Sequence, residues 1–103
     1  LVDELQPADL TVEKIAYSAF YMTRLEWVLR KCGIEKLIIG GIVTNGGVAS
    51  TVRDSHVRDF ATVVLSDGSA AFNTATHETA IAALKPVCRV ATIAEMIDEI
   101  AAA

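Results

Sequence analysis

Cysteine, histidine and proline are scarce in this chain, with two of each in 103 residues. Cys32 and Cys88 stand far apart, with no CxxC and no Cys/His ligand spacing. Neither a disulfide framework nor a zinc site is expected of them; two such thiols suit a reducing, cytoplasmic compartment and buried positions. His56 and His77 are isolated, so no metal site and no cofactor is expected, and both read as surface or helix-packing residues. Nine basic residues face thirteen acidic ones, a net charge of −4. The charges are interspersed with no basic stripe, so no nucleic-acid partner is expected. No apolar run approaches the roughly 18 residues of a membrane span, and no secretory signal is present. Repeats are absent, and the terminal alanines are the sole low-complexity stretch.

What is abundant is apolar side chain, 52% of the total. That is high for so short a chain, which is long enough for one domain or a piece of one. Residues 1–10 read as an irregular lead-in containing Pro7, and residues 11–15 as a short strand with Lys14 near its end. An aromatic loop follows, Tyr17-Ser18-Ala19-Phe20. Thr23 is a candidate N-cap for a helix through about Cys32, with Leu25, Val28, Leu29 and Cys32 on one face. Lys31 in the last turn and Gly33 just beyond it end that helix.

Residues 37–43 are apolar without alternation, which predicts a strand covered on both faces. A helix from about Gly46 to Arg58 places Val48, Thr51, Val52 and Ser55 along one stripe. Residues 62–66 form a β-branched strand ended by Asp67-Gly68, where Asp67 reads as a turn former. Thr74 or Thr76 opens a helix carrying Ala80, Ile81 and Leu84 until Pro86 breaks it. Residues 87–91 are a third short strand. Thr92 and Glu95 then form a capping box for a last helix through Met96, Ile97 and Ile100. Strands alternating with helices predict an α/β fold with a parallel sheet built from right-handed βαβ units. Three strands are few for that architecture, so a further N-terminal portion, an oligomeric partner, or both are expected to complete it.

Glycine is also sparse, yet Gly40, Gly41, Gly46 and Gly47 stand together. The stretch from Gly40 to Thr51 runs from strand through a sharp turn into a helix N-terminus, the place where α/β folds bind ligands and where unpaired N–H groups favour developing negative charge. Gly41-x4-Gly46 has the spacing of a phosphate loop, but Gly47-Val48 stands where Lys-Ser/Thr is required, and no dinucleotide GxGxxG is present. The glycines read equally well as a device for close helix–strand packing. Lys14 reads as a solvated surface residue unless the strand end aims it at residues 43–47. Arg53 and Asp54 read as partners in structural ion pairs or hydrogen bonds.

The ordered set Lys14-x2-Tyr17-Ser18-Ala19-Phe20, Leu37-Ile38-Ile39-Gly40-Gly41, Thr44-Asn45-x2-Val48-x2-Thr51-x-Arg53-Asp54, Asp67-Gly68, Ala70-Ala71-Phe72 and His77 resembles the isochorismatase-like hydrolase superfamily over about residues 11–100. The resemblance implies a three-layer, Rossmann-like α/β fold with a parallel sheet flanked by helices, a small-molecule substrate and a homo-oligomer. No membrane partner is implied. Most members hydrolyse amides with an Asp, a Lys and a nucleophilic Cys. Lys14 matches the Lys, and Gly47 occupies the position of the Cys. The family's N-terminal strand and its Asp are expected outside residues 1–103, since Asp3 is too close to Lys14 to replace that Asp. The resemblance further implies a cis peptide at Ile42–Val43 and an oxyanion hole from the backbone N–H groups of Val43 and Gly47. It also implies a substrate pocket from Tyr17, Phe20, Thr44, Asn45 and Gly46.

Without a thiol at Gly47 there is no thioester intermediate. Neither Cys32, at the end of a helix, nor Cys88, on a later strand with no adjacent base, replaces it. Gly at this position resembles the members that hydrolyse a vinyl ether with an acid and water, whereas Thr44-Asn45 resembles the amidase branch. Three readings follow: a Cys-independent hydrolase of the vinyl-ether type, an amidohydrolase with an altered nucleophile or direct water attack, and a non-catalytic module for binding or assembly.

Overall fold

The computed structural model describes residues 5–103. Asp3 and the first four residues of the lead-in lie outside the described residues. The elements are α1 (Leu25–Lys31), β1 (Lys36–Ile42), a π-helical turn (Thr44–Val48) running into α2 (Ala49–Val57), β2 (Ala61–Ala70), α3 (Thr74–Leu84), β3 (Arg89–Ala91) and α4 (Ile93–Ala102). The strands form one parallel sheet in the order β1-β2-β3.

Side-chain alternation in β2 divides the core between the two faces of the sheet. Val64 packs with Val48, Ala49, Val52, Ile81 and Leu84, beneath α2 and α3. Val63 turns the other way and packs with Ala91 and Met96, beneath α4. Helix, sheet and helix make three layers, the α/β architecture the sequence predicts. Val52, Val64 and Leu84 are wholly buried, and each such side chain contributes about 1.5–3 kcal/mol by leaving water.

Several local expectations are corrected. Residues 11–15 form no strand; Pro7 precedes them, a neighbouring strand to pair with is absent among the described residues, and the segment runs as irregular chain. Helix α1 has Arg24, not Thr23, at its N-cap, with Thr23 one residue further out and its hydroxyl accepting the Leu25 N–H at 3.3 Å. Cys32 is exposed and Cys88 half-buried, so the expected burial fails for Cys32, which lies beyond the last turn of α1. Strand β1 is not covered on both faces. Leu37 and Ile39 are half-buried, whereas Ile38 and Ile42 are 40% and 77% exposed, because α4 covers the far face only over β2 and β3. β2 continues through Asp67-Gly68 to Ala70 instead of ending there, and β3 is shorter than residues 87–91. Asn73, not Thr74 or Thr76, caps α3, its side chain accepting the Thr76 N–H at 2.8 Å. Asp67 is no turn former: its carboxylate accepts the Ile93 N–H at 2.7 Å, at the start of α4.

Other signals fold as read. Gly33 takes φ +70° just past α1. The Thr92–Glu95 capping box closes both reciprocal bonds, at 3.2 and 3.0 Å. Glu95's carboxyl is held below the usual range by the Thr92 N–H it accepts. Removing the cap with Thr92→Ala is expected to cost about 1 kcal/mol, read as a lower urea midpoint at unchanged slope.

The register jumps between Ile39↔Val64 and Gly41↔Ser69, so β2 bulges over Ser66, Asp67 and Gly68. At this point Gly40 and Gly68 bring two backbones together, and a Cβ on Gly40 would lie 2.7 Å from the Gly68 carbonyl oxygen. Gly40→Ala must therefore move backbone, and a loss of about 1–3 kcal/mol in chemical denaturation is expected. No helix among the described residues is long and apolar enough to cross a membrane.

Candidate active site at the end of β1

The site is built where β1 stops. The Ile42–Val43 peptide bond is cis. The chain then turns, and the Val43 carbonyl accepts both the Gly46 N–H (2.9 Å) and the Val48 N–H (3.2 Å). The second bond is the wide i to i+5 closure of a π-turn, a geometry frequent at functional sites. It brings Gly47 to the start of the helical stretch, where N–H groups lack intrahelical partners.

Lys14 reaches this turn from the irregular segment before it. Its ammonium donates to the carbonyls of Ala16 and Tyr17, both at 3.0 Å. An ammonium has three donors, so one remains beyond these two bonds. A Cβ built on Gly47 would sit 3.6 Å from Lys14 Nζ and 3.4 Å from the carbonyl oxygens of Ile42 and Tyr17. Those are ordinary contact distances.

A cavity of about 360 Å³ opens here, lined by Lys14, Tyr17, Ile42, Val43, Asn45, Gly46, Gly47 and Phe72. Its rim is apolar and open, with Tyr17, Ile42 and Phe72 exposed by 73%, 77% and 94%. No carboxylate among the described residues lines it. Of the residues singled out in the sequence, Lys14, Tyr17, Val43, Asn45, Gly46 and Gly47 thus converge on one space, and Ile42 joins them.

Two do not. Phe20 is buried, stacks on Phe60 at 5.9 Å between ring centres and carries the Arg58 guanidinium over its face, so it is a packing residue. Thr44 is wholly buried and faces away from the cavity toward α3, its Oγ1 2.7 Å from His77 Nδ1. Thr44 is drawn away from the cavity by its bond to His77, a partner distant in sequence. Phe72 and Ile42 were missed as lining residues. The available signal was their position at the C-terminal ends of adjacent parallel strands, the ligand side of such a sheet.

Asp54 pairs with Arg58 at 3.4 Å, and Arg58 also binds Glu26 at 2.9 Å, the structural role expected for Asp54. Arg53 is exposed and makes no ion pair among the described residues; it lines a second cavity, of about 430 Å³, between α2 and α3 that shares Asn45 with the first. The Cys88 thiol is pushed up from its ordinary value by burial, which keeps it protonated and unreactive. His56 is exposed. No group of three or more potential metal ligands occurs among the described residues.

The chain is similar in sequence and in fold to known proteins. A family model, the isochorismatase domain, matches residues 1–96. Over 71 residues, 67% of the chain, the sequence is 46% identical to the ureidoacrylate amidohydrolase RutB of Yersinia enterocolitica, and the match spans 31% of that protein. An isochorismatase-like hydrolase from Alkaliphilus metalliredigens superposes with a TM-score of 0.90 at 30% identity, over 95% of this chain and 55% of that one. The nicotinamidase/pyrazinamidase PncA from Bacillus subtilis gives 0.73 at 36% identity, over 77% and 44%. The chain thus spans about a third of the first relative and about half of the two solved structures. A family model matching nearly the whole chain, and a fold superposing over nearly all of it, place the chain in the isochorismatase family.

Proposed function

We propose that this chain carries the substrate-binding and oxyanion half of a small-molecule hydrolase whose attacking nucleophile is water instead of a cysteine. The observation behind this reading is the 3.6 Å between Lys14 Nζ and the position of a Cβ on Gly47. The cationic partner is in place, the side chain it would activate is missing, and the space is left to substrate and water. In the vinyl-ether form of the reaction, a carboxylic acid protonates the enol-ether carbon. Water then adds to the resulting oxocarbenium, and the hemiketal breaks its C–O bond to give a ketone and an alcohol. Among the described residues the cavity lining holds no acid, and in this reading the proton donor comes from another part of the natural polypeptide or from a second copy of it. Lys14 holds that carboxyl group or the substrate's own anionic group through its third N–H. Tyr17, Ile42 and Phe72 receive the apolar body, and the N–H groups of Val43 and Gly47 face the alcohol oxygen that gains negative charge as the hemiketal breaks its C–O bond.

A second reading has specific support. The relatives named above include an ureidoacrylate amidohydrolase and a nicotinamidase, which favours an amide substrate. Water would then attack the amide carbonyl directly, with the same two N–H groups on the tetrahedral oxyanion. Assay of the complete natural polypeptide on isochorismate, ureidoacrylate and nicotinamide separates the readings. Turnover of the vinyl ether alone supports the first and turnover of an amide the second. No turnover of any of them leaves the binding or assembly module.

A further inference from the structure

The bulge in β2 removes Ser66 from the β1 ladder and leaves its carbonyl pointing elsewhere. His77, one turn into α3, takes it: Nε2 lies 2.8 Å from the Ser66 oxygen, while Nδ1 lies 2.7 Å from the hydroxyl of Thr44. A carbonyl oxygen only accepts, so the Nε2 nitrogen carries the proton. In the neutral ring Nδ1 is then an acceptor, and the Thr44 hydroxyl donates to it. One imidazole therefore ties α3 and the β2 bulge to the first residue of the turn that presents Gly46 and Gly47. Thr44 has no solvent to exchange with, being wholly buried.

We propose that His77, as the neutral Nε2–H tautomer, is the positioning residue of this site: through Thr44 it fixes the backbone of residues 44–48, and hence the aim of the Gly47 N–H. The proposal rests on the reading that this turn is the reacting end of the cavity, and it adds the residue that holds it. Protonation of Nδ1 would reverse the bond. The Thr44 hydroxyl would become an acceptor, and its own proton would need a new partner in a buried place. The groups that share its surroundings are few. Residues 44–48 carry no titratable side chain. On β2, Asp67 beside Ser66 is committed to the Ile93 N–H, and on α3 Glu78 is exposed.

The test uses NMR of the complete, isotope-labelled polypeptide, whose outcome does not depend on turnover. The imidazole nitrogens of His77 are expected to show the Nε2–H tautomer in the neutral ring. The amide signals of Gly46 and Gly47 are expected to shift when His77→Ala removes the ring, and to shift likewise in Thr44→Val but not in Thr44→Ser. For whichever substrate is turned over, Thr44→Val is expected to lower kcat about tenfold with KM little changed, and Thr44→Ser to restore it. An Nδ1–H tautomer, or Gly46 and Gly47 signals indifferent to His77→Ala in a folded protein, would overturn the proposal whatever the substrate proves to be. Failure of every substrate with the coupling intact would reject the hydrolase reading and leave His77 as the residue that holds the turn.

Discussion

The substitution Gly47→Cys is expected to create a thiol that alkylates at pH 7 about tenfold faster than Cys32 and Cys88 of the same chain. The backbone admits the side chain. The nearest atoms to a Cβ at this position are 3.4 Å away, and its φ is not in the left-handed region that only glycine visits freely. From that Cβ, Lys14 Nζ is 3.6 Å distant. A cation so close favours the thiolate and lowers its pKa from about 8.5, while the helix N-terminus acts in the same direction. Cys32 has no such neighbour described, and Cys88 is pushed the other way by burial. Peptide mapping of iodoacetamide labelling against pH measures all three. Adding Lys14→Met should return the introduced thiol to ordinary reactivity. If the thiol instead labels as slowly as Cys88, Lys14 does not address position 47, and the site described here is wrong.

Lys14→Met in the otherwise natural polypeptide is expected to lower kcat/KM by about a thousandfold, with thermal stability almost unchanged. The large term is positioning, since without the ammonium neither the acid's carboxyl group nor the substrate's anionic group is held at the reacting centre. Stability should move by about 0.5 kcal/mol or less, because Lys14 is exposed and contributes no core packing. A further consequence is local. The ammonium gathers the carbonyls of Ala16 and Tyr17, so its loss also loosens the loop bearing Tyr17. Lys14→Arg is not expected to rescue. A planar guanidinium fork cannot occupy the same tetrahedral arrangement of two carbonyls and a third donor direction. A kcat/KM for Lys14→Met within about fivefold of the natural protein would remove Lys14 from the mechanism.

How much of this was legible in the sequence depends on whether the signal was local. The capping box at Thr92 and Glu95, Gly33 after α1 and the apolar stripe Val48-Val52 are short-range patterns, and they fold as they read. The strand expected over residues 11–15 failed because β-branched composition specifies a strand only where a neighbour offers a ladder. β1 reads as doubly covered, but Ile38 and Ile42 stay exposed while Leu37 and Ile39 are half-buried, since coverage is decided by where α4 lands. The glycine turn is legible, and Lys14 is tied to it only conditionally, because 32 residues of chain lie between Lys14 and Gly47. His77 shows the limit most clearly. Nothing in its neighbours along the chain pairs it with Thr44, 33 residues earlier, or with a carbonyl released by a bulge in β2. Asp67 is similar: in sequence it looks like a turn, and in space it receives the N–H that opens α4.

The account stands on the claim that this site works without a protein thiol. The direct measurement is the kcat/KM of the complete natural polypeptide, on the substrate it turns over, after every cysteine in it has been replaced. Neither Cys32 nor Cys88 touches the cavity around Gly47. An unchanged value is expected, with no acyl adduct on any cysteine of the natural protein during turnover. Loss of activity on removing a cysteine, together with a covalent adduct on that cysteine in the natural protein, would contradict it.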